Sequence, residues 1–174
     1  FIPEPSDFIK AEQFRCDITD LDAHGLVFLN GFYPTLNDRL RQLPSGVWIG
    51  SLNEAAKKFS DLVGRHYGKY AKSETDGLVH LNTAMASDGV FIYVPKNVTL
   101  SKPVQVVNLV ESDVDLFNQH RNLIIVEENA DITLIICDHT ASPHKFLTNA
   151  VTEVFVGENA HFDIIRVQNE HNNA

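Results

Sequence analysis

Phe91-Ile92-Tyr93-Val94-Pro95-Lys96-Asn97-Val98, Ile124-Ile125-Val126-Glu127-Glu128-Asn129-Ala130 and Val154-Phe155-Val156-Gly157-Glu158-Asn159-Ala160 share one plan: a run rich in β-branched and aromatic residues, a polar turn ending in asparagine, then a second apolar run. The turn asparagines stand 32 and then 30 positions apart, and an offset of 30 lays Ile132 on Phe162 and Leu134 on Ile164. A strand-turn-strand unit of that length cannot bury its apolar side chains alone and does so by stacking on its neighbours. The spacing therefore predicts a mainly β solenoid, a parallel β-helix. Asparagine suits a recurring turn because it tolerates left-handed backbone and hydrogen-bonds locally. Hairpins of a sandwich also use short strands and polar turns and are the rival architecture.

Working outward, strand chemistry occupies residues 79–174, the expected first coils of the solenoid. Upstream, Ser51-Leu52-Asn53-Glu54 has the spacing of a capping box. Leu52, Ala55, Ala56, Phe59, Leu62, Val63 and Tyr67 follow at helical intervals, with Lys57, Lys58, Asp61 and Arg65 opposite. One amphipathic helix is predicted over about 52–68, weakened near its end by Gly64 and Gly68. Lys72-Ser73-Glu74-Thr75-Asp76-Gly77 is a polar connector, and with it residues 1–78 form a small N-terminal α/β region. Within residues 1–50, broken by Pro3, Pro5, Pro34 and Pro44, the clearest element is a strand from Leu26 to Leu29 entering a turn at Asn30-Gly31.

Composition narrows the function. Hydrophobic residues make up 44% of the 174, enough to bury a core. Net charge is −9, and residues 79–174 hold twelve acidic against five basic side chains. A field of that sign repels phosphate backbones and anionic lipid, which argues against nucleic acid or membrane as partner. Cys16 and Cys137 form neither a disulfide framework nor a CxxC, so a reducing cytoplasm is expected. No apolar run reaches about 18 residues. Phe1-Ile2-Pro3 is unlike a signal peptide, and the ends have the look of a segment cut from a longer chain. The sequon Asn97-Val98-Thr99 has meaning only in a secretory context.

Catalytic signatures are sparse. There is no dinucleotide or phosphate-binding glycine loop, no G-x-S-x-G and no H-E-x-x-H. Cys137, Asp138, His139 and His144 bring together the ligand types of a borderline metal, and Cys137 and His139 share a face if the strand reaches that far. Two or three ligands do not close a site, so the simpler expectation is a strand-ending Cys137 with both histidines in an exposed loop. The acids from Cys16 to His24 lack the glycine and final glutamate of a calcium loop and read as a solvated turn. His120-Arg121 suits an anion site or a dyad, but an ordinary loop with a charged edge is the expectation. His80 and His161 have no partner visible in the sequence, and Glu127, Glu128 and Glu158, recurring with the turns, are expected to mark a wet rim of the solenoid rather than paired catalytic carboxylates.

The stretch from Leu81-Asn82-Thr83-Ala84 through Asp88-Gly89-Val90 to Val94-Pro95-Lys96 resembles the entry to the core of the SufB/SufD family, the scaffold subunits of the Suf iron–sulfur cluster machinery. Residues His120 to Ala130 and Thr148 to Val154 are closer to the SufD version. The resemblance runs from about Leu52 to Gln168, with a weaker match at Phe28 to Tyr33; Asn97 stands where the family often has glycine. It implies a right-handed parallel β-helix behind a small α/β region, in a scaffold that is no enzyme by itself. It also implies partnership with a SufB-like subunit and a SufC-like ATPase, or a homodimer, with the cluster handled by the full complex and no cofactor held by this segment. No catalytic, cofactor or metal residue carries over. Competing classes are a carbohydrate-active β-helix enzyme, which would need a face of clustered Asp, Arg or Lys, and a metal-recruiting protein using Cys137, His139 and His144.

Overall fold

A computed structural model describes residues 21–33, 43–44, 46–71 and 76–170. The acidic stretch before Leu21, and most of the connector at 72–77, lie outside those residues. The elements in order are β1 (His24–Leu29), β2 (Trp48–Ser51), α1 (Leu52–Lys58), α2 (Ser60–His66), α3 (Gly77–Met85), β3 (Val90–Val94), β4 (Val104–Val110), β5 (Leu116–Val126), β6 (Asp131–Thr140), β7 (Phe146–Val156) and β8 (His161–Asn169).

The molecule is mainly β. Its strands form two four-stranded sheets, ordered β1-β4-β6-β8 and β2-β3-β5-β7, so from β3 onward successive strands alternate between sheets. All neighbours run parallel except β2 and β3. The register is the one the repeat predicts, with Ile132 on Phe162 and Leu134 on Ile164. Because β1 pairs with β4, the first sheet is shared by chain on both sides of residue 78.

Side chains alternate across each strand, so each sheet buries two faces. Between the sheets lie Leu26, Phe28, Ile92, Val106, Ile124, Leu134 and others. On the far side of the second sheet Phe91, Leu123 and Ile125 pack beneath α1 and α2 through Leu52, Ala55 and Val63. Strands buried on both faces explain why β3 and residues 123–126 of β5 read as unbroken apolar runs.

The turn asparagines behave as their chemistry requires. Asn30, Asn97, Asn129 and Asn159 all have positive φ, between 50° and 59°. Asn129 also donates from Nδ2 to Asn97 Oδ1 at 3.0 Å, linking one turn to the turn 32 residues before it.

The expected helix over 52–68 is two short helices. Phe59 leaves helical geometry (φ −127°, ψ 47°), and its ring meets Trp48 edge-on with centroids 5.7 Å apart. Ser51 caps α1 as predicted, its Oγ accepting from the Glu54 N–H at 3.1 Å. Replacing Ser51 by alanine is expected to cost about 1 kcal/mol, read as a lowered thermal midpoint. A second difference is α3, which stands where strand chemistry was expected to begin. Its start is Asp76, whose Oδ1 accepts from Leu78 N–H at 2.8 Å and Val79 N–H at 3.4 Å.

Candidate functional site

The motif Leu81-Asn82-Thr83-Ala84 through Asp88-Gly89 forms the joint between the helices and the second sheet. Asn82 is fully buried and donates from Nδ2 to the carbonyls of His120 and Asn149, both at 2.8 Å, tying α3 to β5 and β7. Asp88 Oδ1 accepts from Ser51 Oγ at 2.7 Å and from the Asn53 N–H at 3.1 Å. A Cβ on Gly89 would lie 1.9 Å from the Arg121 carbonyl oxygen, so the backbones pass too closely there for any side chain.

Beneath this joint lies a buried ion pair. Arg121 contacts Glu153 Oε2 from Nε and from one terminal nitrogen, both at 2.9 Å, with side chains 1% and 0% exposed. The other terminal nitrogen donates to Thr83 Oγ1 at 2.8 Å, and the guanidinium lies 5.0 Å from the Tyr67 ring centroid. Glu153 also accepts from the backbone N–H groups of Gly68 (2.8 Å), Tyr70 (2.8 Å) and Ala71 (3.0 Å). Burial alone pushes the Glu153 carboxyl up, but those three N–H groups and Arg121 outweigh it and hold it below its usual value. Glu153 is therefore held as a carboxylate near neutral pH, and the pair works as a lock. A groove of about 510 Å³ lies beside it, lined by Leu52, Ala56, Val63, Tyr67, Asp88 and Arg121.

A second polar cluster lies between the sheets. Asp138, on β6, accepts from Asn108 Nδ2 at 2.8 Å and from Arg166 Nε at 2.7 Å. His120, 3% exposed, lines the same cleft of about 320 Å³. Desolvation pushes its pKa down to about 4, with Asp138 opposing and Arg166 assisting, so the ring is neutral near pH 7.

His120-Arg121 is thus no loop edge, as the sequence had suggested. Both residues sit inside β5, where Glu153 of β7 and Thr83 of α3, far apart in sequence, satisfy Arg121. The loop expected around His139 is also corrected: β6 runs through Thr140, and His139 is buried. Cys137 and His139 do share a face. Cys137 packs with Val107 and Ile135 and accepts from Gln105 Nε2 at 3.5 Å, while His144 lies beyond the strand. Among the described residues no three His, Cys, Asp or Glu side chains are grouped as a metal site requires. His161 pairs with Asp163 at 3.1 Å, and Glu128 with Lys96 at 2.9 Å on an exposed rim. Asp22, at the end of the acidic stretch read as a solvated turn, pairs with Lys102 at 2.8 Å. Glu153 is the residue that sequence reasoning missed; its signal was a lone acid inside an otherwise apolar and neutral strand.

Fold and site together define a repetitive, mainly β protein whose buried polar groups fasten helices to a sheet. Family models match nearly the whole length: the SufBD protein N-terminal region over residues 4–106, and the SUF system FeS cluster assembly SufBD core domain over 109–174. The chain belongs to the SufBD family. Its relatives include the iron-sulfur cluster assembly protein SufD of Bacillus subtilis, 36% identical over 66% of this chain and 26% of that protein. A SufBD family protein of Synechocystis is 28% identical over 94% of this chain and 40% of its own length. A chloroplastic SufBD family protein of Arabidopsis thaliana is 30% identical over 72% of this chain and 22% of its own length. The chain thus spans well under half the length of these relatives. No helix among the described residues is long and apolar enough to cross a membrane.

Proposed function

We propose that this chain is the N-terminal region and first coils of a SufD-like scaffold that takes part in iron–sulfur cluster assembly and transfer. The observation that carries the reading is the pair of family models covering 4–106 and 109–174. In this reading the two sheets are walls of a right-handed parallel β-helix. Parallel pairing, alternation of successive strands between the sheets and the left-handed asparagine turns support it. Right-handedness follows the general rule for parallel crossovers.

The scaffold is not an enzyme by itself. It works in the cytoplasm with a SufB-like subunit and a SufC-like ATPase, the cluster being cargo of the assembly. Placing Arg121 and Glu153 in a structural lock, and not at an open reactive surface, supports a scaffold over a carbohydrate-active enzyme.

The test is affinity capture with the full-length protein as bait from a lysate of its own source, read by mass spectrometry. Recovery of a SufB-like subunit together with an ATPase is the expected result. A folded bait that captures neither would leave the family membership standing and overturn the assembly proposed here.

A further inference from the structure

The space between the sheets changes character along the strands. At one end it is hydrocarbon, with Ile124 and Val126 of β5 facing Val106 of β4 and Leu134 of β6. Two-residue alternation places Asn118 and His120 on the same face of β5, and Asn108 and Asp138 on the inward faces of β4 and β6. That end is polar and opens into the cleft of about 320 Å³.

Two buried atoms lining this cleft, His120 Nδ1 and Thr148 Oγ1, have no hydrogen-bond partner among the described residues. They belong to adjacent strands of one sheet, where Asn118 is paired in register with Thr148. An unpaired buried polar atom is costly, and native proteins satisfy such atoms with a guest when there is room. Here there is room: a water's share of liquid volume is about 30 Å³, so the cleft admits several waters or one small organic molecule.

The lining also selects against charge. The two charged groups that act on His120, Asp138 and Arg166, are bonded to each other at 2.7 Å. The remaining acid of the lining, Glu170, accepts from Gln168 Nε2 at 3.4 Å, while His120, Thr148 and Asn108 are neutral hydrogen-bonding groups, so a charged guest held against those three would lose its hydration without gaining a free counter-charge there.

We propose that the polar end of the space between the sheets is a binding site for an uncharged, hydroxyl-bearing guest, held by His120 Nδ1 and Thr148 Oγ1 beside the Asp138–Arg166 pair. Water and a small polyol share that chemistry. The site is separate from the assembly role proposed above and does not depend on it.

The experiment is a pair of high-resolution crystal structures of the full-length protein, one prepared without any polyol and one soaked in glycerol, each repeated for Thr148→Val. Ordered density within hydrogen-bond distance of both atoms in the polyol-free crystals identifies water. Its replacement by a single glycerol contacting both atoms extends the site to polyols. In Thr148→Val, density at this position is expected to be lost in both preparations while the thermal midpoint stays close to that of the parent. If both parent structures lack density there, or if Thr148→Val leaves it unchanged, the proposal is overturned.

Discussion

Glu153→Ala is expected to destabilise the protein by about 3–5 kcal/mol, the usual cost of removing one partner from a buried ion pair. The loss has two parts. Arg121, 1% exposed, would keep its charge without a counter-ion, and the N–H groups of Gly68, Tyr70 and Ala71 would lose their acceptor. The second part is what ties the segment after α2 to β7, so that segment should open before the sheets do. Hydrogen exchange would show Gly68, Tyr70 and Ala71 losing protection first. Denaturant unfolding of the full-length protein supplies the magnitude. Arg121→Met combined with Glu153→Leu should lose much less than the two single changes added together, because no stranded charge remains. A cost below about 1 kcal/mol for Glu153→Ala would mean that the pair is solvated and contributes as a surface bridge does.

What the sequence made readable follows from how local each cause is. The left-handed turns at Asn97, Asn129 and Asn159 are local, because the residue that tolerates the conformation occupies the position needing it. The parallel register is nearly as local, since a repeat offset of 30 dictates which apolar rows meet, as Ile132 and Phe162 do. Phe59 shows the limit of periodicity: the spacing favours a continuous helix, yet the backbone breaks at Phe59, whose ring packs against Trp48. For α3, Asp76 was a cap hidden inside a polar connector, and the apolar residues that followed resembled strand chemistry. The lock was least visible. Arg121 and Glu153 are 32 residues apart, and nothing in either neighbourhood shows that the other will arrive beside it. The motif around Asn82 and Asp88 was recognisable as a pattern, but its cause, two carbonyls to satisfy and a cap to brace, needed three dimensions.

Stability should fall as pH drops from neutrality to pH 5, and His120 should carry about 2 kcal/mol of that fall. Burial holds its folded-state pKa at about 4 against 6.5 for an ordinary histidine. Between those values the unfolded chain binds a proton that the folded chain refuses, so each proton taken up favours unfolding. The contribution is complete above about pH 6.5 and is lost as pH falls toward 4, at about 1.4 kcal/mol per unit where the difference is full. Over pH 7 to 5 that sums to about 2 kcal/mol. Asp138 and Arg166 act on the ring in opposite senses and are bonded to each other, which leaves desolvation as the governing cause. Glu153 acts in a lower window: its depressed pKa supports stability above the ordinary carboxyl value, and this support is lost only as pH falls below that value. Measuring unfolding free energy at pH 7 and pH 5 for the parent and for His120→Gln isolates the effect, because glutamine does not titrate. The variant is expected to be less stable at pH 7 but flatter by about 2 kcal/mol between the two pH values. Equal slopes would show that the ring takes up its proton in the folded state as readily as in water, which one bound guest does not provide and only a bulk-solvated or charge-compensated His120 could do.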